Sequence, residues 1–152
     1  MNVSELMTTS VIAIRENTSV VEAAKTLLGH HITGVPVIDA HDRLVGILTE
    51  GDLVVQNANV HFPTFLQILD IQIPLTSTHH FEEELRRALG TVASEVMTRE
   101  VLTVSPNDEI SVAATLMADK HVNPIPVVEH GRLVGIISRS DIIRHILAQE
   151  LG

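Results

Sequence analysis

Apolar and polar positions along the chain fall into two periods that alternate. Val20, Ala23, Ala24 and Leu27 recur at helical spacing, as do Ile110, Ala113, Ala114 and Met117. Each set predicts a helix with one apolar face, over about Ser19 to Leu28 and about Glu109 to Lys120. Between these lie short runs rich in β-branched residues. Val11 to Ile14 and Val101 to Val104 read as strands that lead into the helices. Val35 to Asp39 with Leu44 to Leu48, and Ile125 to Glu129 with Leu133 to Ile137, read as hairpins. The unbroken apolar runs Val45-Gly46-Ile47-Leu48 and Val134-Gly135-Ile136-Ile137 suggest strands covered on both faces. A closing helix starts near Glu50 and another near Arg139.

The same order of elements occurs twice because the sequence is duplicated. Ser4 to Asp39 aligns with Ser94 to Glu129 at an offset of 90, and Arg43 to Val55 with Arg132 to Arg144 at an offset of 89. One extra turn residue in the first copy accounts for the change of offset. Arg43-Leu44-Val45-Gly46-Ile47 recurs unchanged as Arg132-Leu133-Val134-Gly135-Ile136. A single β-α-β-β-α unit is too small to bury its sheet and both helices. The expected fold is therefore α/β (α+β), with two such units packed by a pseudo-twofold and a helical insert between them. Residues 1–56 form the first unit, 57–93 the insert and 94–152 the second. Within the insert, His61 to Leu69 reads as a short apolar helix and Phe81 to Leu89 as an amphipathic one. A packed connector is the plainer interpretation of the insert, and a lid or partner surface the sharper one.

Composition narrows the function. Hydrophobic residues make up 45% and charged residues 19% of the 152 positions, which favours a folded body. The absence of Trp and Tyr, with three Phe, makes the core aliphatic. Nineteen acids against ten Lys and Arg leave a formal charge of −9, which argues against nucleic acid as a partner. With no cysteine there is no disulfide, thiol nucleophile or Cys–zinc site. Nine His include the adjacent pairs His30-His31 and His79-His80. Neighbouring residues do not converge as metal ligands, and no metal site is expected. No nucleophile–base pattern or Gly-rich phosphate loop appears, so no enzyme is expected. Met1 to Met7 lacks the pattern of a signal peptide, and no run approaches membrane-spanning length. A cytoplasmic protein without membrane contact is the expectation.

Two polar words close the copies: Thr49-Glu50-Gly51-Asp52 and Ser138-Arg139-Ser140-Asp141. A hydroxyl residue followed three positions later by an acid is a helix capping box. The same groups also suit a ligand, since free helix N–H groups and a hydroxyl meet phosphate and a carboxylate accepts two ribose hydroxyls. A second repeated feature opens each hairpin: Ile32-Thr33-Gly34-Val35-Pro36-Val37 and Val122-Asn123-Pro124-Ile125-Pro126-Val127. Its prolines remove N–H donors and leave carbonyls that could read a purine edge, or they simply begin an edge strand.

These words together resemble paired cystathionine-β-synthase (CBS) domains, in the form of a stand-alone Bateman module. The resemblance rests on E-L-M-T and E-V-M-T, on H-H-I-T-G-V-P-V-I and K-H-V-N-P-I-P-V-V, and on R-L-V-G-I-L-T-E-G-D and R-L-V-G-I-I-S-R-S-D. It covers nearly all of the chain except the insert. It implies a regulatory sensor with no required cofactor that binds an adenosine-containing ligand: AMP, ADP, ATP or S-adenosylmethionine. It also implies a homodimer acting on an unidentified effector protein. Each of two clefts would join the closing word of one copy to the hairpin start of the other. One would use Thr49 and Asp52 with Val122, Asn123, Pro124 and Ile125. The other would use Ser138 and Asp141 with Ile32, Thr33, Gly34, Val35 and Pro36. In this scheme the aspartates hold ribose, the hydroxyls hold phosphate, and Arg139 makes the Ser138 cleft the better nucleotide site. Nucleotide-sensing relatives carry basic side chains at the hairpin start, where this chain has Thr33-Gly34 and Asn123-Pro124. The alternative is a ligand-free dimeric adaptor that docks partners through the insert or its helical faces.

Overall fold

The computed structural model describes residues 1–58 and 90–152. Both helices expected within the insert lie outside the described residues. The chain runs through α1 (Val3–Leu6), β1 (Ile14–Arg15), α2 (Val20–Gly29), β2 (Gly34–Ile38), β3 (Leu44–Thr49) and α3 (Glu50–Ala58). The second copy follows with α4 (Ala93–Val96), α5 (Ile110–Lys120), β4 (Ile125–Glu129), β5 (Arg132–Ile137) and α6 (Arg139–Leu151).

The hairpins form as the pattern predicts. β2 and β3 pair antiparallel with Val35 opposite Leu48, and β4 and β5 do so with Ile125 opposite Ile137. Both ladders slip by one residue at the same place, after Val37 and after Val127. The change of offset lies in the turns. In the first copy Asp39 Oδ1 accepts from His41 N at 2.8 Å and Arg43 N at 3.0 Å, in a loop whose Asp42 has φ 61°. These two backbone N–H groups, Arg43 first, hold the Asp39 carboxyl below its ordinary pKa. The second copy turns in two residues, His130 at φ 52° and Gly131 at φ 78°, the mirror-image geometry that suits strand twist.

The leading strands are shorter than the pattern predicts. β1 is two residues and pairs parallel with β2, and its counterpart is a single bridge from Val104 to Val127. Residues 11–13 and 101–103 join no strand. The helices keep their expected faces: Val20, Val21, Ala23, Ala24 and Leu27 are buried on α2, and Ala113 and Met117 on α5. Ser19 caps α2 by accepting from Glu22 N at 3.1 Å.

The repeat in sequence is not the unit of packing. Each copy's leading segment crosses to the other copy. Val3 N donates to Asp108 O at 2.8 Å, and Thr8 and Ile136 exchange backbone hydrogen bonds at 2.9 and 3.0 Å. In the mirrored position Ala93 N donates to Thr18 O at 2.8 Å, and Thr98 and Ile47 exchange bonds at 2.9 Å. Val3 thereby joins the core of Val104, Ala113, Met117, Ile125, Val127 and Ile137, with Met7 packed against it. Ala93 and Met97 join the core of Leu27, Val35, Val37 and Leu48. Ala93, at the end of the expected insert, is thus a fully buried part of the first core. Burial of each large aliphatic side chain stabilises by about 1.5–3 kcal/mol, so the exchange ties both halves into one folding unit.

Candidate functional site

Each closing word folds into a reciprocal cap. Thr49 N and Thr49 Oγ1 donate to Asp52 Oδ2 at 3.0 and 3.1 Å, and Asp52 N donates back to Thr49 Oγ1 at 3.3 Å. Ser138 N and Oγ donate to Asp141 Oδ2 at 2.8 and 3.0 Å, with Asp141 N returning to Ser138 Oγ at 3.3 Å. In both, the cap consumes Oδ2 and leaves Oδ1 to a third group. Asp52 Oδ1 accepts from Thr98 Oγ1 at 2.9 Å, and Asp141 Oδ1 faces Arg144 Nη2 at 3.3 Å. The hairpin starts supply further caps: Glu50 N donates to Thr33 O at 3.0 Å and Arg139 N to Asn123 Oδ1 at 2.8 Å. The next N–H of each helix, on Gly51 and Ser140, meets no acceptor among the described residues.

Two clefts flank the meeting point of the hairpin starts. The first, about 500 Å³, is lined by Thr49, Glu50 and Gly51, by Thr98 to Leu102 in part, and by His121, Val122, Asn123 and Pro124. The second, about 330 Å³, is lined by Ser138, Ser140 and Asp141, by Thr8, Ser10 and Ile12, and by His30 to Gly34. Both volumes suit small molecules. Thr33 and Asn123 line both clefts and touch across the boundary, Asn123 Nδ2 to Thr33 Oγ1 at 3.4 Å. Gly34 allows this approach, because a Cβ there would lie 2.7 Å from Pro124 Cδ. Each cleft thus combines the closing word of one copy with the hairpin start of the other.

The positions differ from the sequence expectation in four respects. Val35, Pro36 and Ile125 line neither cleft: all three are fully buried, Val35 and Ile125 within the two cores and Pro36 on the opposite face of β2. Asp52 stands behind Thr49 and Thr98 and does not line the first cleft. Thr33 O, expected to be free for a purine, accepts from Glu50 N. Arg139 lines the first cleft and not the second. It lies two positions before Asp141, about 200° around a helix, so the two side chains diverge. Arg144, one turn beyond Asp141, is the arginine of the second cleft.

Several lining residues were absent from the sequence expectation. Ser10, Ile12, Glu100, Val101 and Leu102, expected to precede or form the leading strands, contribute to the clefts. Thr8 and Thr98 do so because of the exchange of leading segments. Their recurrence at the offset of 90 was the available signal. His31 and His121 also recur at that offset, both at left-handed φ (53° and 54°), one in each cleft. Among the described residues no group of three or more His, Asp or Glu is placed to hold a metal ion. No described helix is long and apolar enough to cross a membrane.

A duplicated α+β fold with two pseudo-symmetric clefts between its halves defines a tandem domain pair. The chain belongs to the CBS domain family, whose pattern matches residues 3–56 and 92–148. It is similar to the uncharacterized protein MJ1426 of Methanocaldococcus jannaschii, 32% identical over 90% of this chain and 86% of that protein. The structure of CBSX2, a chloroplastic protein in Arabidopsis thaliana, was determined in complex with AMP. It matches with a TM-score of 0.74 at 25% identity, over 98% of both chains. The CBS domain pair of protein MJ0100, in complex with 5′-methylthioadenosine and S-adenosyl-L-methionine, matches with a TM-score of 0.67. Its identity is 27%, over 96% of this chain and 99% of that one.

Proposed function

We propose that the protein is a non-catalytic regulatory module that binds adenosine-containing ligands in its two inter-copy clefts and signals to another protein. The observation that carries this reading is the state of Asp141: its carboxylate, 11% exposed, is oriented by the cap and presents Oδ1 at the wall of the second cleft. A carboxylate so held is prepared to accept ribose hydroxyls, while Ser140 N–H and Ser138 lie beside it for a polar tail. The relatives determined with AMP, or with 5′-methylthioadenosine and S-adenosyl-L-methionine, support the same ligand class. The ligand acts by preferring one arrangement of the two halves, and differential affinity is all that such a sensor requires.

Isothermal titration against AMP, ADP, ATP and S-adenosylmethionine tests this reading. Micromolar binding is expected for at least one of them. Asp141→Ala should weaken binding in the second cleft by about tenfold or more, the scale of a lost hydrogen bond to a charged group. Absence of heat with all four ligands, at protein concentrations suited to micromolar affinity, would remove the proposal.

A further inference from the structure

The charged groups of the clefts are not pseudo-symmetric. The first cleft holds two acids and one base, Glu50, Glu100 and Arg139, beside the single imidazole of His121. The second holds one acid and one base, Asp141 and Arg144, beside the imidazoles of His30 and His31. Resting on the function proposed above, we infer that the clefts divide adenosine ligands by the charge of the tail. The second takes a phosphate monoester, and the first an adenosyl compound whose tail carries a cation beside a carboxylate.

In the second cleft the ion pair of Arg144 with Asp141 is the means of selection. Arg144 is 73% exposed and pairs through a single Nη2 contact at 3.3 Å, so its guanidinium is free to swing. Ribose hydroxyls on Asp141 Oδ1 displace that guanidinium, and a phosphate on the same ligand then receives it. The two imidazoles and Ser140 N–H add donors around the same cleft. The first cleft has a helix N–H at Gly51 and an imidazole at His121, but no counterpart of the arginine: Val55 stands at the position of Arg144, and a hydroxyl, Thr98, holds the aspartate.

In the first cleft Glu50 and Glu100 oppose a phosphate. A like charge at contact distance in a water-like medium costs roughly fivefold in affinity. A sulfonium or ammonium meets the two glutamates favourably, and an α-carboxylate on the same tail meets Arg139. The larger volume of the first cleft, about 500 against 330 Å³, accommodates the longer amino-acid tail.

Calorimetric competition between AMP and S-adenosylmethionine tests this division. AMP titrated into protein saturated with S-adenosylmethionine should keep its heat and affinity. Arg144→Gln should weaken AMP about tenfold and leave S-adenosylmethionine within twofold. Glu50→Gln with Glu100→Gln should do the reverse. Mutual displacement of the two ligands, or equal loss of both in Arg144→Gln, overturns the division while leaving adenosine binding in place. Absence of binding by either ligand overturns the division and the function together.

Discussion

His31 and His121 hold a backbone conformation that their side chains do not favour. At φ 54° and ψ 37°, His121 closes α5 where helices more often place glycine. A left-handed residue with a Cβ costs roughly 1–2 kcal/mol, part of which glycine returns through its greater freedom in the unfolded chain. His121→Gly should therefore stabilise the fold by roughly 0.5–1 kcal/mol, a rise in Tm of a few degrees in a scanning calorimeter. A fall in Tm instead would mean that the imidazole contributes a contact larger than the strain it brings. Both histidines face a cleft from pseudo-equivalent positions. Strain kept twice at cleft walls accords with a part in the site. Such residues were visible in the sequence as a repeated His, but nothing local marks a left-handed histidine, so their place could not be read from the pattern.

Gly46 and Gly135 explain why the leading segments fit where they do. A Cβ on Gly46 would meet Met97 Sδ at 2.5 Å and Thr98 O at 3.0 Å, and one on Gly135 would meet Met7 Sδ at 2.5 Å. The glycines make room on β3 and β5 for a segment from the opposite copy. Gly46→Ala must push Met97 aside and strain the Ile47–Thr98 bridge, at a cost of about 1–3 kcal/mol, measured as a lower urea midpoint. Gly29→Ala is the comparison. It has nothing within 4 Å of the added Cβ and should be neutral or stabilise by up to about 1 kcal/mol. Equal losses in both variants would sink the packing argument. The hairpins and the faces of α2 and α5 were legible because period alone specifies them. The exchange was not legible. The words around Met7 and Met97 are so alike that either copy's core would accept either segment, and periodicity carries no information on which it is. The direction of Arg139 could have been read from helical geometry, since residues two apart on a helix face apart. The expectation instead grouped Arg139 with Asp141 by nearness in sequence.

Among the described residues, the closing helix of the second half presents an exposed apolar face. α6, thirteen residues long, buries none of them fully, and Ile143, Ile146 and Leu147 are 56%, 51% and 52% exposed. Val54 on α3 is 54% exposed, and Leu28 and Val112 are exposed on α2 and α5. Scattered apolar residues on a surface need no explanation, but three at i, i+3 and i+4 on one helix make a stripe. We expect a second copy to cover this stripe, because a twofold axis between identical chains sets the same patch against itself. In the dimer we expect, a ligand that alters the angle between the two halves would move α3 and α6 and so alter how the copies meet. We therefore expect a light-scattering mass of twice the 16.6 kDa chain at micromolar concentration. Ile143→Glu with Ile146→Glu should halve that mass while leaving the far-ultraviolet circular dichroism unchanged, because two half-exposed positions can carry charge in the monomer. A wild-type chain that already runs as a monomer would refute the stripe as an interface. A double variant that stays dimeric would move the contact to the surface around Leu28 and Val112.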